Sequence, residues 1–152
     1  MEALERAAAI EPGNFETAYA LGEVLRQQSF AGLEGYQELA RRAMTWFEKT
    51  IKLNPHFPYP HSGYGMCLDW LGRTKEGEAS FQRARELDPN GARTLAYLGW
   101  HYFQLKDYET SRRWLERSLS LNQDEKINPM ALPYLRLVDA KLGEDRSGAP
   151  LK

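Results

Sequence analysis

Leu95-Ala96-Tyr97-Leu98-Gly99-Trp100-His101-Tyr102-Phe103, followed by Lys106-Asp107-Tyr108 and by Trp114-Leu115-Glu116-Arg117-Ser118-Leu119, reads as two short amphipathic helices joined by a tight polar turn. Leu95, Leu98 and Tyr102 recur at the spacing of one helix face, and Gly99 lies on the same side. A glycine inside a helix costs about 1 kcal/mol against alanine. Its position here predicts a neighbouring helix pressed against the backbone at that point.

The unit repeats along the chain. Ala3 to Pro12, Trp46 to Pro55, Ser80 to Pro89 and Trp114 to Gln123 align without gaps. Pro55 to Pro89 spans 34 residues, and Pro89 to Gln123 spans 34 again. Pro12 to Pro55 spans 43, nine more. The helix glycines agree, with 34 from Gly65 to Gly99 and 43 from Gly22 to Gly65. Both markers place a nine-residue insertion between Gly22 and Ala43, around Gln28 to Tyr36.

A helix–turn–helix unit of this period, covering about Met1 to Gly143, resembles the tetratricopeptide repeat. The resemblance implies an all-α fold, an α-α superhelix of antiparallel helix pairs. It divides the chain into a half-repeat (1–12), an inserted repeat (14–55), two further repeats (58–89 and 92–123), a capping helix (129–143) and a flexible tail (144–152). Departures from the family pattern are Gln123 for the terminal proline, Gly77 and Ser111 where a small alanine is usual, and His61 where a large apolar residue is common.

Composition agrees with a solenoid that buries its core as a strip between neighbours. The 152 residues are 42% hydrophobic and 12% aromatic. A formal net charge of −1 argues against a nucleic-acid surface, which needs a basic excess. No run approaches the ~18 apolar residues of a membrane helix. The single cysteine, Cys67, excludes an internal disulfide framework. Ala3 to Pro12 matches a second helix whose first helix is missing. The reading adopted is a fragment of a longer protein, the alternative a natural cap, so compartment is left open with the cytoplasm as default.

Along the chain, Asn14 is a good N-cap for a helix over Phe15 to Gln28. The glycines of Ser29 to Gly35 predict a turn, and Leu39, Ala43, Phe47 and Ile51 predict a long second helix from about Glu34 to Leu53. The simplest account of the insertion is a loop extension; the alternative is a partner-contacting protrusion built on Phe30, Leu33 and Tyr36. Prolines in Asn54 to Pro60 delay the next helix to about Pro60 to Leu71, paired with Lys75 to Leu87. The last helix is expected from Pro129 to Leu142, stopped by Gly143, with Leu132 and Leu135 inward.

No catalytic set is found. His56 and His61 are five apart on a proline-stiffened loop, which suits no standard metal motif. His101 has no sequence-near partner for a triad, and Cys67 reads as a buried inert thiol. Glu76, Glu78, Glu86, Glu109 and Glu116 alternate with Lys and Arg as a solvated helix face. The chain is read as no enzyme, with no cofactor and no metal.

The resemblance implies that first helices line a concave groove for extended peptides or partner helices. Helical phase puts Tyr19, Glu23 and Arg26 there from the first, and Ser62, Met66 and Trp70 from the second. The third contributes Arg93, Tyr97, Trp100 and Phe103, and the last Tyr134 and Leu137. Trp100, Phe103 and Met66 are expected to be partly exposed, and Trp46 and Trp114 to pack between repeats. Family members that clamp a C-terminal carboxylate use Lys and Asn, whereas the matching positions hold Tyr19 and Glu23, Ser62 and Met66, Ala96 and Trp100. An apolar or aromatic-rich ligand is therefore expected, its polarity set by Arg26, Arg93 or Lys141. The function read is a protein–protein interaction module, with no nucleic acid and no membrane insertion. Alternatives are a homo-oligomeric scaffold assembled through terminal helices, or an appendage of a larger enzyme or secretion/assembly protein.

Overall fold

The computed structural model of the chain describes residues 1–32 and 34–147. Among them are eight α-helices and no strand. These are α1 (Glu2–Ile10), α2 (Phe15–Phe30), α3 (Tyr36–Leu53), α4 (Tyr59–Trp70), α5 (Thr74–Leu87), α6 (Ala92–Gln104), α7 (Tyr108–Leu121) and α8 (Ala131–Ser147). α2 packs on α3, α4 on α5 and α6 on α7, each pair a helical hairpin closed by a short turn. The chain divides into two compact units, Met1–Leu87 and Asp88–Lys152, parted at the turn between two repeats.

In the first unit, Asn14 caps α2 as expected, its side chain accepting the Thr17 N–H at 3.0 Å. The long second helix is present as α3, and the insertion lengthens α2 as well, which the expected loop extension did not include. α2 has 16 residues and α3 has 18, against 12 in α4 and 14 in α5. Four extra residues on each limb are about one helical turn, so the nine residues lengthen the whole hairpin. α2 continues past Gln28 to Phe30, and α3 starts at Tyr36, after Gly35 turns the chain at φ 80°. Leu33 lies outside the described residues.

Glycines set how closely the hairpin limbs approach. A methyl group added at Gly22 would lie 2.6 Å from the Phe47 ring, and one at Gly63 would lie 2.5 Å from the same ring. Phe47 is thus held between the bare backbones of α2 and α4. Gly65 stands in the same relation to Phe81, at 2.9 Å. Gly77 replaces the expected alanine because the Asp69 carboxylate occupies that space, 2.5 Å from where a methyl would sit.

The second unit repeats the scheme, with Leu115 2.7 Å from a methyl placed on Gly99. Ser111 has a purpose here that alanine lacks, since its hydroxyl donates to the Gly99 carbonyl at 2.7 Å across the helix pair. Ser118 donates likewise to the Ala92 carbonyl at 2.6 Å, and Asn128 donates to Ser118 Oγ at 2.8 Å. The α6–α7 turn places Lys106 at φ 60°, one period after Gly72 at φ 78°. Both turns close with the bond of a Schellman cap, Asp107 N–H to the Tyr102 carbonyl and Arg73 N–H to the Leu68 carbonyl.

α8 differs from expectation at both ends and in phase. It begins at Ala131 and runs through Gly143 to Ser147, so residues 144–147 are helical. Residues 148–152 of the expected tail lie outside the described residues. Its buried face is Ala131 and Val138, with Leu135 and Leu142 beside them. Leu132 is half-buried and lies about 100° round the helix from Ala131, beside that face and not on it.

Overpacking a closed contact costs about 1–3 kcal/mol. Gly63→Ala is expected to lower stability by about 2 kcal/mol, because Phe47 cannot retreat from Gly22 behind it. Gly13→Ala meets nothing within 4 Å and is expected to stay within about 0.5 kcal/mol of the parent. Urea unfolding of the two variants measures the difference, and equal midpoints would contradict the close contact.

Candidate functional site

The first helices turn out to be buried on more sides than one phase predicts. In α4, Pro60, Ser62, Gly63 and every residue from Gly65 to Asp69 are buried; in α6, every residue from Thr94 to His101 is. A helix enclosed in this way has no free stripe to offer.

In the first unit this corrects most of the expected groove. Met66 is 1% exposed and Ser62 is fully buried. Arg26 is 7% exposed and spent on Glu23, to which Nε and Nη2 donate at 3.0 and 2.8 Å, while its guanidinium lies 5.1 Å over the Phe30 ring. It is not available to set the polarity of a ligand. Trp70 is covered by the lengthened hairpin, with Phe30 at 5.0 Å and Tyr36 edge-on at 5.8 Å. Ser29 Oγ donates to the Tyr36 carbonyl at 2.7 Å and fixes that tip.

Tyr19 remains half-buried, and it belongs to an aromatic cluster that helical phase only half identified. Phe57 meets Tyr19 edge-on at 5.1 Å, Phe15 at 5.4 Å and Tyr59 at 5.3 Å. Phe15 and Phe57 were missed because one opens its helix and the other sits in a loop. The signal available was the aromatic–proline alternation of Phe57-Pro58-Tyr59-Pro60.

In the second unit, Trp100 is 2% exposed and Tyr97 7%, so neither is an open contact. The Trp100 indole Nε1 donates to Tyr134 Oη at 3.0 Å, joining α6 to α8. Phe103 is half-buried, as expected, and packs edge-on against Tyr134 at 5.4 Å and near Tyr108 at 5.6 Å. Leu137 is 48% exposed, one turn along α8 from Tyr134. Arg93 is half-buried, and Lys141 pairs with Glu144 at 3.3 Å. Phe103 and Tyr134 are thus brought together, with Trp100 bonded to Tyr134 and Leu137 one turn along α8. Trp46 and Trp114 are half-buried, and Lys49 lies 5.0 Å over the Trp46 ring.

The titratable groups suit a packed scaffold. Burial pushes the Cys67 thiol up to about 12, so it stays protonated. Burial, and then the Arg83 charge, hold the His61 imidazole below its ordinary range, against a hydrogen bond with the Pro55 backbone. His56 is exposed and His101 is buried within α6. Among the described residues no group of three His, Cys, Asp or Glu is placed to hold a metal, and no helix is long and apolar enough to cross a membrane.

Comparison with known proteins agrees with this architecture. A family model described as a tetratricopeptide repeat matches residues 92–125. Anaphase-promoting complex subunit 3 of Schizosaccharomyces pombe is 27% identical over 127 residues, which cover 84% of this chain but only 18% of that relative's length. Among solved structures, a thermophilic TPR protein from Thermus thermophilus superposes with a TM-score of 0.75 at 16% identity, over 90% of this chain and 71% of that one. The first TPR of Spaghetti (RPAP3), bound to the HSP90 peptide SRMEEVD, is similar with a TM-score of 0.58 at 19% identity, over 82% and 94%. At such identities the likeness establishes the all-α helical-repeat fold.

Two outcomes follow from the burial. Removing a buried large aromatic costs about 3–5 kcal/mol, so Trp100→Ala is expected to lose that much, and Leu137→Ala less than about 0.5. Denaturant titration measures both, and a mild Trp100 variant would contradict the burial. Cys67 is expected to stay unreactive towards a thiol reagent at pH 8 and to titrate fully once the chain is unfolded. Its raised pKa favours the folded state below pH 9, and that contribution is lost from there to about 12.

Proposed function

We propose that the chain is a tetratricopeptide-repeat protein, on its 34-residue period, its fold and the match at residues 92–125, and that it is a non-catalytic module that binds an extended peptide or partner helix. The contact surface proposed in the second unit is Phe103, Tyr134 and Leu137.

The observation that carries this reading is Leu137, a large apolar side chain left 48% exposed beside an aromatic pair already held in place. Its neighbour Tyr134 is fixed by the Trp100 indole, so little side-chain freedom is lost on binding. Apolar and aromatic anchors of this kind supply most of the binding energy at protein interfaces. Arg26 is tied to Glu23 and Lys141 to Glu144, so the ligand is recognised through apolar rather than charged side chains. The peptide held by the Spaghetti domain supports peptide binding as a use of this fold.

The test is peptide display selected on the native chain, followed by affinity measurement against Leu137→Asp and Phe103→Ala. Both are expected to weaken a selected peptide at least about tenfold, with the melting temperature of Leu137→Asp unchanged. Peptides that bind both variants as tightly as the parent would overturn the assignment.

A further inference from the structure

A second surface lies on the α6–α7 hairpin, away from α8. Tyr102, Thr110, Arg113, Trp114 and Arg117 line a cleft of about 350 Å³. The two arginines are one turn apart on α7 and both are exposed.

Their pairing differs from that of four other arginines of the chain. Arg26, Arg73, Arg83 and Arg112 each hold a carboxylate within hydrogen-bonding distance, on Glu23, Glu76, Glu86 and Glu116. Arg113 instead donates to the Thr110 hydroxyl at 3.0 Å, and Arg117 to the Asn90 side-chain carbonyl at 3.3 Å. Among the described residues neither guanidinium has an ion-pair partner. Two like charges one turn apart repel. An anion between them removes that repulsion and offers each planar fork a matching acceptor.

We infer that this cleft binds an acidic peptide segment, with a carboxylate side chain between Arg113 and Arg117 and an apolar side chain against Trp114 and Tyr102. The volume is at the low end of small-ligand sites, about 300–1,000 Å³, enough for one or two side chains. Net charge selects peptide over nucleic acid. A phosphate-tracking surface needs a basic excess, and this chain carries a net charge of −1.

The probe is a fluorescein-labelled Gly-Glu-Glu-Phe-Gly peptide and its Gln-for-Glu twin, titrated by anisotropy with the full chain. The acidic peptide is expected to bind, and the twin at least about tenfold more weakly. Arg113→Gln with Arg117→Gln is expected to show the same loss at an unchanged melting temperature, and added salt to weaken the parent. Leu137→Asp is expected to leave the affinity unaltered, which separates this site from the α8 surface. No binding, equal binding of the two peptides, or equal binding by the double variant would overturn the inference. So would loss in the Leu137 variant, which would move the peptide to α8, or a short single-stranded DNA displacing the label better than unlabelled peptide.

Discussion

A large side chain pressed onto bare helix backbone sets the geometry of each hairpin. Phe47 meets Gly22, Phe81 meets Gly65 and Leu115 meets Gly99, and in each case a methyl group on the glycine would fall within 3 Å of the partner. Gly65 to Phe81 and Gly99 to Leu115 are both 16 residues apart, and Gly22 to Phe47 is 25, nine more. The insertion therefore changes the length of a hairpin without changing where its limbs touch. Packed helices ordinarily lie 8–10 Å apart, depending on the side chains at the contact. A glycine at each contact favours the short end, at a propensity cost of about 1 kcal/mol apiece. The contact repays that cost in buried apolar area, with Phe47, Phe81 and Leu115 all but sealed from solvent.

Close approach also decides what is left for binding. Because α4 and α6 are enclosed on nearly every side, their large residues are spent on packing, and Met66, Tyr97 and Trp100 go with them. Trp100 still matters to the surface, as the donor that holds Tyr134. Beside that aromatic pair the open apolar side chain comes from α8, where Ala131 and Val138 face inward and Leu137 turns outward. On α7 the inner positions Ser111, Leu115 and Ser118 leave Arg113 and Arg117 on the outer face, without an ion-pair partner among the described residues.

The period, the helix order, the Asn14 cap and the nine-residue insertion were all legible, because each rests on local spacing or a single residue type. The burial of the expected groove was not. Helical phase tells which residues share a side, but not how many neighbours close around the helix. Two local exceptions were equally hidden. Gly77 serves the Asp69 carboxylate, a partner eight residues away whose orientation no pattern reports. Lys106 takes the left-handed position that glycine fills one period earlier at Gly72, so a rule that looks for glycine at the helix end passes over it. The departures from the family pattern at Gly77 and Ser111 are contacts in their own right.

The lengthened α2–α3 hairpin is best understood as a cover rather than an arm. An added turn on each limb carries Phe30 and Tyr36 onto Trp70, whose indole nitrogen is enclosed without a hydrogen-bond partner. Leaving that donor unpaired costs about 1–3 kcal/mol, so the rings must return more than this in apolar burial. Arg26 steadies the arrangement from below. Burying a charge is costly unless it is paired with good geometry, and here the partner is one turn away on the same helix, so α2 itself presets the bidentate contact with Glu23. The guanidinium then sits 5.1 Å over the Phe30 ring as a cation on its face. Removing Arg26 would strip Glu23 of its counter-charge and Phe30 of its support together, which ties the inserted turn energetically to the core of its own unit.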